Sequence, residues 1–352
     1  MIPSVCSPLM VRWIKHRRPF FLWGPPGVGK SDLVYQAASA LDYPVIDLRA
    51  SLLNPVDLRG IPVISTAKGW DGAQVKVCEW APPIFLPRTG HGLIFCDELP
   101  NAPTSVQTAL LQLILDRRLG EYVLPEGWSI AAAGNRVEDK AGANRTISSV
   151  NSRFTCHVEL EVSATDWLQW ALGAGIRAEV RSFVKWQPSR LTDFDPRLNQ
   201  KAYACPRTWS FVSDHLRDLD GLPEGAILGA LSGCVGEGVA AEFWAHVQMS
   251  AELPDPDELL AKPTGCELPD PDEPGIWCAT VTGLIDRLRV VGEDTTMLHN
   301  FGKLVMRFPA EYQAQSIIDG FNVARNLDQV PEIDEWMMRP ENVERIVPGL
   351  GV

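Results

Sequence analysis

Between an apolar run, Phe20-Phe21-Leu22-Trp23, and a helix-patterned run from Ser31 to Leu41 lies the octet Gly24-Pro25-Pro26-Gly27-Val28-Gly29-Lys30-Ser31. This is the spacing G-x-x-x-x-G-K-[ST], set between strand and helix as its chemistry requires. Its glycines let the backbone curl without Cβ clashes and aim successive N–H groups inward. The helix start adds unsatisfied donors and the positive end of a dipole. Gly24 to Ser31 are therefore the candidate phosphate cradle, with Lys30 reaching the outer phosphates and Ser31 a hydroxyl ligand for Mg²⁺. The feature commits the start of the chain to strand, loop and helix, the unit of a parallel α/β sheet.

The following residues continue that pattern. Pro44 to Leu48, Leu93 to Cys96, Trp128 to Ala133 and Val158 to Val162 read as further strands, with a helix from about Ser105 to Arg117. Beyond residue 162 the period changes. Thr165–Leu172, Ile176–Trp186, Thr208–Leu219 and Ala226–Gln248 are helical, and helical patterning resumes from about Ile276 to Met338. The expected organisation is an α/β nucleotide-binding core over 1–162 and a helical lid over 163–250. An acidic Pro-rich linker over 251–274 and a helical C-terminal extension over 275–352 complete it.

The linker holds a duplication: Glu252–Glu258 and Glu267–Glu273 are both ELPDPDE. Neither copy has the central glycine and spaced ligands of a calcium loop, and its prolines favour an extended, solvated chain. Residues 252–273 carry eight carboxylates and one lysine, net −7, out of −12 for the whole chain. The net charge argues against a general binder of nucleic-acid backbone and leaves only a local basic groove open, while the chain outside this segment is mildly acidic. The eight cysteines form no C-x-x-C pair, the apolar runs are too short to span a membrane, and the N-terminus has no secretory pattern. A cytoplasmic protein with reduced thiols is expected.

Candidate catalytic groups follow from position. Leu93-Ile94-Phe95-Cys96-Asp97-Glu98 is a buried strand ending in two acids, which delivers Asp97 to hold Mg²⁺ and Glu98 to polarise an attacking water. Two adjacent acids point to hydrolysis, since binding alone needs only the first. Asn135, after the Ala-rich strand, is placed to orient that water. Ser152-Arg153-Phe154 offers a guanidinium that a neighbouring subunit could supply to the transition state, with Arg145 as a rival. Arg207, in Cys205-Pro206-Arg207-Thr208-Trp209, projects from a helix start and is a second candidate sensor of the nucleotide. Trp70 and Tyr122 are candidates for gripping a substrate chain, and the six histidines show no ligand pairing.

Taken together these residues resemble the AAA+ ATPases and, within them, the MoxR branch. GPPGVGKS resembles the family's Walker A, FCDELPNAPTSVQTALLQLILDRRL its Walker B and following helix, AAGN sensor 1, SRF the arginine-finger box and CPRTW sensor 2. Asn54–Gly60 with Trp80–Phe85 resembles the insert in helix 2, and Gly120–Pro125 the hairpin before sensor 1; the family points both at a central pore. Leu99-Pro100 replaces the family's Ile-Asn, and Cys96 stands where Ala is frequent, but no catalytic group is lost. The resemblance implies a P-loop NTPase core with an all-α lid, ATP and Mg²⁺ between the protomers of a ring (usually a hexamer), and chaperone-like remodelling of partner proteins. Those partners often carry a metal-ion-dependent adhesion site, and the acidic repeat resembles that of a subgroup often encoded beside a protein with a von Willebrand factor type A domain.

Two alternatives compete. A nucleic-acid-stimulated motor or restriction-type nucleotidase needs a basic pore or reading domain, and the only compact basic cluster is Lys15-His16-Arg17-Arg18. A small-molecule kinase needs an Arg-rich lid, whereas the segment from Asn135 to Arg153 fits a ring interface better.

Overall fold

The computed structural model describes residues 1–68, 70–139, 152–198, 200–250, 253, 255–292, 294–339 and 341–342. They fall into two compact units, Met1–Ser163 with Asp195–Gln200, and Ala164–Phe194 with Lys201–Val352. Arg145 lies outside the described residues. Among the described residues no helix is long and apolar enough to cross a membrane.

The first unit is an α/β core. Helix α1 (Pro3–Lys15) precedes strand β1 (Phe20–Trp23), helix α2 (Lys30–Ser39) and strand β2 (Val45–Arg49). Helix α3 (Pro55–Arg59) and an antiparallel ribbon of β3 (Ile61–Lys68) and β4 (Gln74–Ala81) follow. Then come β5 (His91–Asp97), α4 (Thr104–Asp116), a short hairpin of β6 (Arg118–Leu119) and β7 (Tyr122–Val123), β8 (Gly127–Gly134) and β9 (Cys156–Glu159). The main sheet runs β2-β5-β8-β1-β9 and its pairings are all parallel.

Alternation along these strands explains both faces of the sheet. Phe20, Leu22, Phe95, Ala131 and Ala133 point to a core shared with Met10 and Ile14 of α1 and Val34 and Ala37 of α2. Phe21, Ile94, Cys96, Ile130 and Ala132 point the other way, onto Val106, Leu110 and Leu113 of α4. Both faces are covered, so these strands read as near-continuous apolar runs. The sequence does not predict the ribbon. Its side chains are exposed on both faces, so no in-and-out alternation marks it in the sequence.

The second unit is helical: α5 (Ala164–Gly173), α6 (Ala178–Trp186), α7 (Pro206–His215), α8 (Glu224–Val235), α9 (Glu237–Ser250), α10 (Pro256–Ala261), α11 (Pro274–Val291), α12 (Thr295–Val305), α13 (Ala310–Phe321) and α14 (Pro331–Met337). The single helix expected over 226–248 is two, because Gly236 takes φ +86° and ends α8. Phe183 of α6 packs among Trp209, Phe243 and His246. Trp277 of α11 stacks on Tyr312 at 5.1 Å and meets Phe308 edge-on at 5.0 Å.

The acidic segment departs from the extended chain expected of it. In its first copy Asp255 accepts the Asp257 N–H and caps α10, with Pro256 at the first helical position. Leu259 and Leu260 of that helix are buried in the core with Leu284, Leu304 and Ile317. In the second copy Asp270 accepts the Asp272 N–H, its carbonyl receives the Trp277 indole, and Leu268 packs on the same core.

Candidate nucleotide-binding site

The sheet order puts β8 between β1 and β5, so three strand ends emerge side by side at one edge. Trp23 leads into the 24–31 loop, Asp97 ends β5, and Gly134 leads to Asn135. Crevices outside the carboxyl ends of parallel strands are where such sheets hold ligands.

The loop conformation depends on glycine. Gly27 and Gly29 have φ of +77° and +92°, the left-handed region where a Cβ is costly, and Gly29 is the residue from which α2 starts. Lys30 opens that helix and is buried. Its ammonium donates to the carbonyls of Gly24 (2.8 Å) and Pro25 (2.9 Å) and to Asn135 Oδ1 (2.8 Å). Lysine and asparagine, distant in sequence, are thereby joined. Pro26 and Val28 complete the turn, and Val28 is buried against the α1–α2 side of the sheet.

Ser31 Oγ donates to Asp97 Oδ2 at 2.7 Å, and Asp97 Oδ1 accepts the N–H of Glu98 at 2.9 Å. A hydroxyl and a half-buried carboxylate this close form the hard-oxygen pair that suits Mg²⁺, which takes one or two protein oxygens and completes its shell with phosphate and water. Among the described residues no group of three His, Cys, Asp or Glu could hold a metal by itself. Behind Asp97, burial pushes the Cys96 thiol up to about 12, with the Asp47 and Asp97 carboxylates adding to the shift, so it stays an inert core side chain.

Glu98 has φ +55°, uncommon for a residue with a Cβ. The left-handed turn costs about 1–2 kcal/mol and presents the side chain to solvent, where Glu98 Oε2 accepts from Ser51 Oγ at 2.6 Å. Ser51 follows β2, the strand beside β5, and sequence reasoning missed it; a serine after a strand carries no motif.

Within the first unit, Arg153 is not gathered at this edge. Arg153 sits just ahead of β9, where Phe154 packs edge-on against Phe21 at 5.1 Å. β9 runs parallel to β1 with Cys156 opposite Phe20. Arg153 is therefore at the edge where β1 begins, while the phosphate loop leaves where β1 ends. Arg207 belongs to the helical unit and is exposed in the first turn of α7, after a helix start at which the Cys205 N–H donates to Thr208 Oγ1 (2.9 Å). Trp70 is fully exposed beyond β3, whereas Tyr122 is buried and its hydroxyl donates to the Pro87 carbonyl at 2.6 Å, which removes it as a gripping residue. In the basic cluster, Arg17 ends the turn after α1 and donates to the Glu126 carbonyl at 2.9 Å, a structural use.

Residues 19–154, under half of the chain, match the family model described as AAA domain (dynein-related subfamily). No curated protein matches the chain. Among solved structures, the RuvB Holliday junction branch migration motor of Thermotoga maritima is 16% identical over 74% of each chain, with a TM-score of 0.40. NtrX of Brucella abortus in complex with ADP is 13% identical over 99% of this chain and 68% of its own, with a TM-score of 0.39. A putative ATPase of Cytophaga hutchinsonii is 14% identical over 98% of this chain and 88% of its own, at 0.35. At that distance these three assign neither activity nor partner. The family match and the site's residues identify the first unit as an AAA domain with ATPase activity.

Proposed function

We propose that the chain is a chaperone-like remodeller of a partner protein, driven by ATP hydrolysis and working as a MoxR-like ring, with a hexamer as the expected state. A client with a von Willebrand factor type A domain fits the MoxR resemblance. The observation that carries the reading is where the surface is apolar. Leu52, Val56, Ile61, Ile64, Trp70 and Ile84 are all exposed, in and around one ribbon of the ATPase unit. Within residues 52–84 these side chains give one stretch of the chain a run of exposed apolar groups, the kind of surface that meets another chain.

The chemistry assigns the chain's residues as follows. The loop N–H groups and Lys30 bind the β- and γ-phosphates. Ser31 and Asp97 would hold Mg²⁺, which would supply positive charge against that of the phosphates. Glu98 takes the proton of the attacking water, and Asn135 orients that water while its tie to Lys30 couples it to the phosphates. Arg153, at the opposite sheet edge from its own loop, serves the site of a neighbouring protomer. Arg207, carried by the helical unit, is the second guanidinium proposed to answer to the nucleotide.

The test uses two inactive variants. Arg153→Ala keeps an intact phosphate loop, and Lys30→Met keeps an intact finger. Each alone should be inactive, and an equimolar mixture should recover turnover, with Mg-ATP shifting the chain to a ring in sedimentation. A mixture as silent as its components, or a chain that stays monomeric with Mg-ATP, refutes the shared site.

A further inference from the structure

We propose that the outer edge of β3 accepts an extended, uncharged segment of the client as a third strand; this deepens the remodelling reading and rests on it. Among the described residues β3 pairs with β4 alone, in continuous register from Ile61 opposite Ala81 to Lys68 opposite Gln74. Its other edge therefore presents a row of unpaired N–H and C=O groups. Soluble proteins blunt such edges with charge, proline, bulges or short length. β3 is eight residues long, unbulged, and uncharged from Ile61 to Ala67, with its one proline, Pro62, at the start. β4, by contrast, carries Lys76 and Glu79 in mid-strand. One edge is guarded and the other open.

The ribbon's composition says what the open edge takes. A two-stranded ribbon is marginal alone, and a third strand supplies what it lacks. Ile64 is 76% exposed and Val63 48%, so apolar side chains flank the edge on both faces. In mid-strand, Ser65 Oγ is shielded from solvent and has no hydrogen-bond partner among the described residues. The chain is net −12, yet Lys68, Asp71, Lys76 and Glu79 cancel within the ribbon, and β3 is uncharged from Ile61 to Ala67. A neutral strand rich in β-branched residues complements this edge, and a polyanion gains nothing from it. Recognition through main-chain hydrogen bonds also reads little sequence, as a remodeller of varied client segments needs.

The experiment measures anisotropy with the full chain and two fluorescein-labelled peptides. One is a neutral octapeptide of alternating Thr and Val with a Gly-Ser end. The other is the same peptide N-methylated at each interior residue, which keeps its side chains and removes donors along both edges. The parent peptide should bind, and the N-methylated one should bind at least about tenfold more weakly, the worth of one or two hydrogen bonds. Ile64→Lys and Thr66→Lys, both at exposed positions, should weaken parent binding with an unchanged thermal midpoint. Equal affinity for both peptides, undiminished binding by both lysine variants, or no binding of either peptide overturns the strand pairing. So does a β3-to-β3 dimer of two copies that the peptide does not dissociate. The mixing experiment with Arg153→Ala and Lys30→Met stays positive if only the strand pairing fails.

Discussion

Replacing Glu98 by glutamine isolates charge from geometry. The Glu98→Gln variant keeps the backbone N–H that donates to Asp97 Oδ1 and an amide oxygen able to accept from Ser51 Oγ, the 2.6 Å contact of the present carboxylate. The left-handed φ of +55° is no harder for glutamine than for glutamate. Glu98 is exposed, so fold stability should move by less than about 0.5 kcal/mol. The loop, Lys30 and Ser31 are untouched, so nucleotide affinity should hold within about threefold, under about 1 kcal/mol. What disappears is the base. A positioned general base contributes about 10²–10⁴ in rate, or roughly 3–5 kcal/mol of barrier. Phosphate release under saturating Mg-ATP should therefore fall at least about a hundredfold, while a fluorescent ATP analogue still binds. Ser51→Ala calibrates the positioning share: losing one solvent-exposed hydrogen bond, worth about 1 kcal/mol, should cost about three- to tenfold in kcat, with affinity unchanged. Turnover by Glu98→Gln within threefold of the parent would refute the assignment, because nothing else in the local geometry has changed.

Other outcomes follow from the packing. Lys30→Met removes the donor that Gly24 O, Pro25 O and Asn135 Oδ1 share, and should abolish binding of the ATP analogue. It also leaves those acceptors short of a partner, so urea denaturation should show a loss of about 1–3 kcal/mol. Leu260→Ala, in the acidic segment, should cost about 2–5 kcal/mol because that side chain is fully buried; a solvated linker would lose nothing, and denaturation decides. His246 is buried against Trp186 and hydrogen-bonded to Ser182 Oγ, and burial pulls its pKa down to about 4. Its folded pKa lies below the unfolded value near 6.5, so the unfolded chain takes up the proton first. Stability is constant above that value and falls as pH drops toward 4, by about 2 kcal/mol at pH 5. His246→Phe should flatten that part of the pH profile, and an unchanged slope would assign it to other groups.

How far the sequence predicts the fold depends on where its constraints are local. The phosphate loop is a contiguous octet whose glycines must take positive φ. The strands beside it alternate between two covered faces, so parity alone sends Phe21 to one face and Phe20 and Leu22 to the other. Asp97 and Asn135 were legible for the same reason: each ends an apolar strand of a parallel sheet, and such ends share one edge. Ser51 was not, because its importance lies in a contact with Glu98 across two strands. The β3–β4 ribbon was not, because with both faces exposed it has no buried parity to read. The ELPDPDE copies are a different kind of failure. Asp-Pro favours both a solvated turn and a helix start, with Asp as cap and Pro in the first turn. What decides between them lies two or more residues on: Leu259-Leu260 follows the first copy and finds a buried face, and Trp277 follows the second and ties its indole to Asp270. Proline and acid content measured over a window cannot register that choice, since the energy that makes it comes from apolar side chains and from helices distant in sequence.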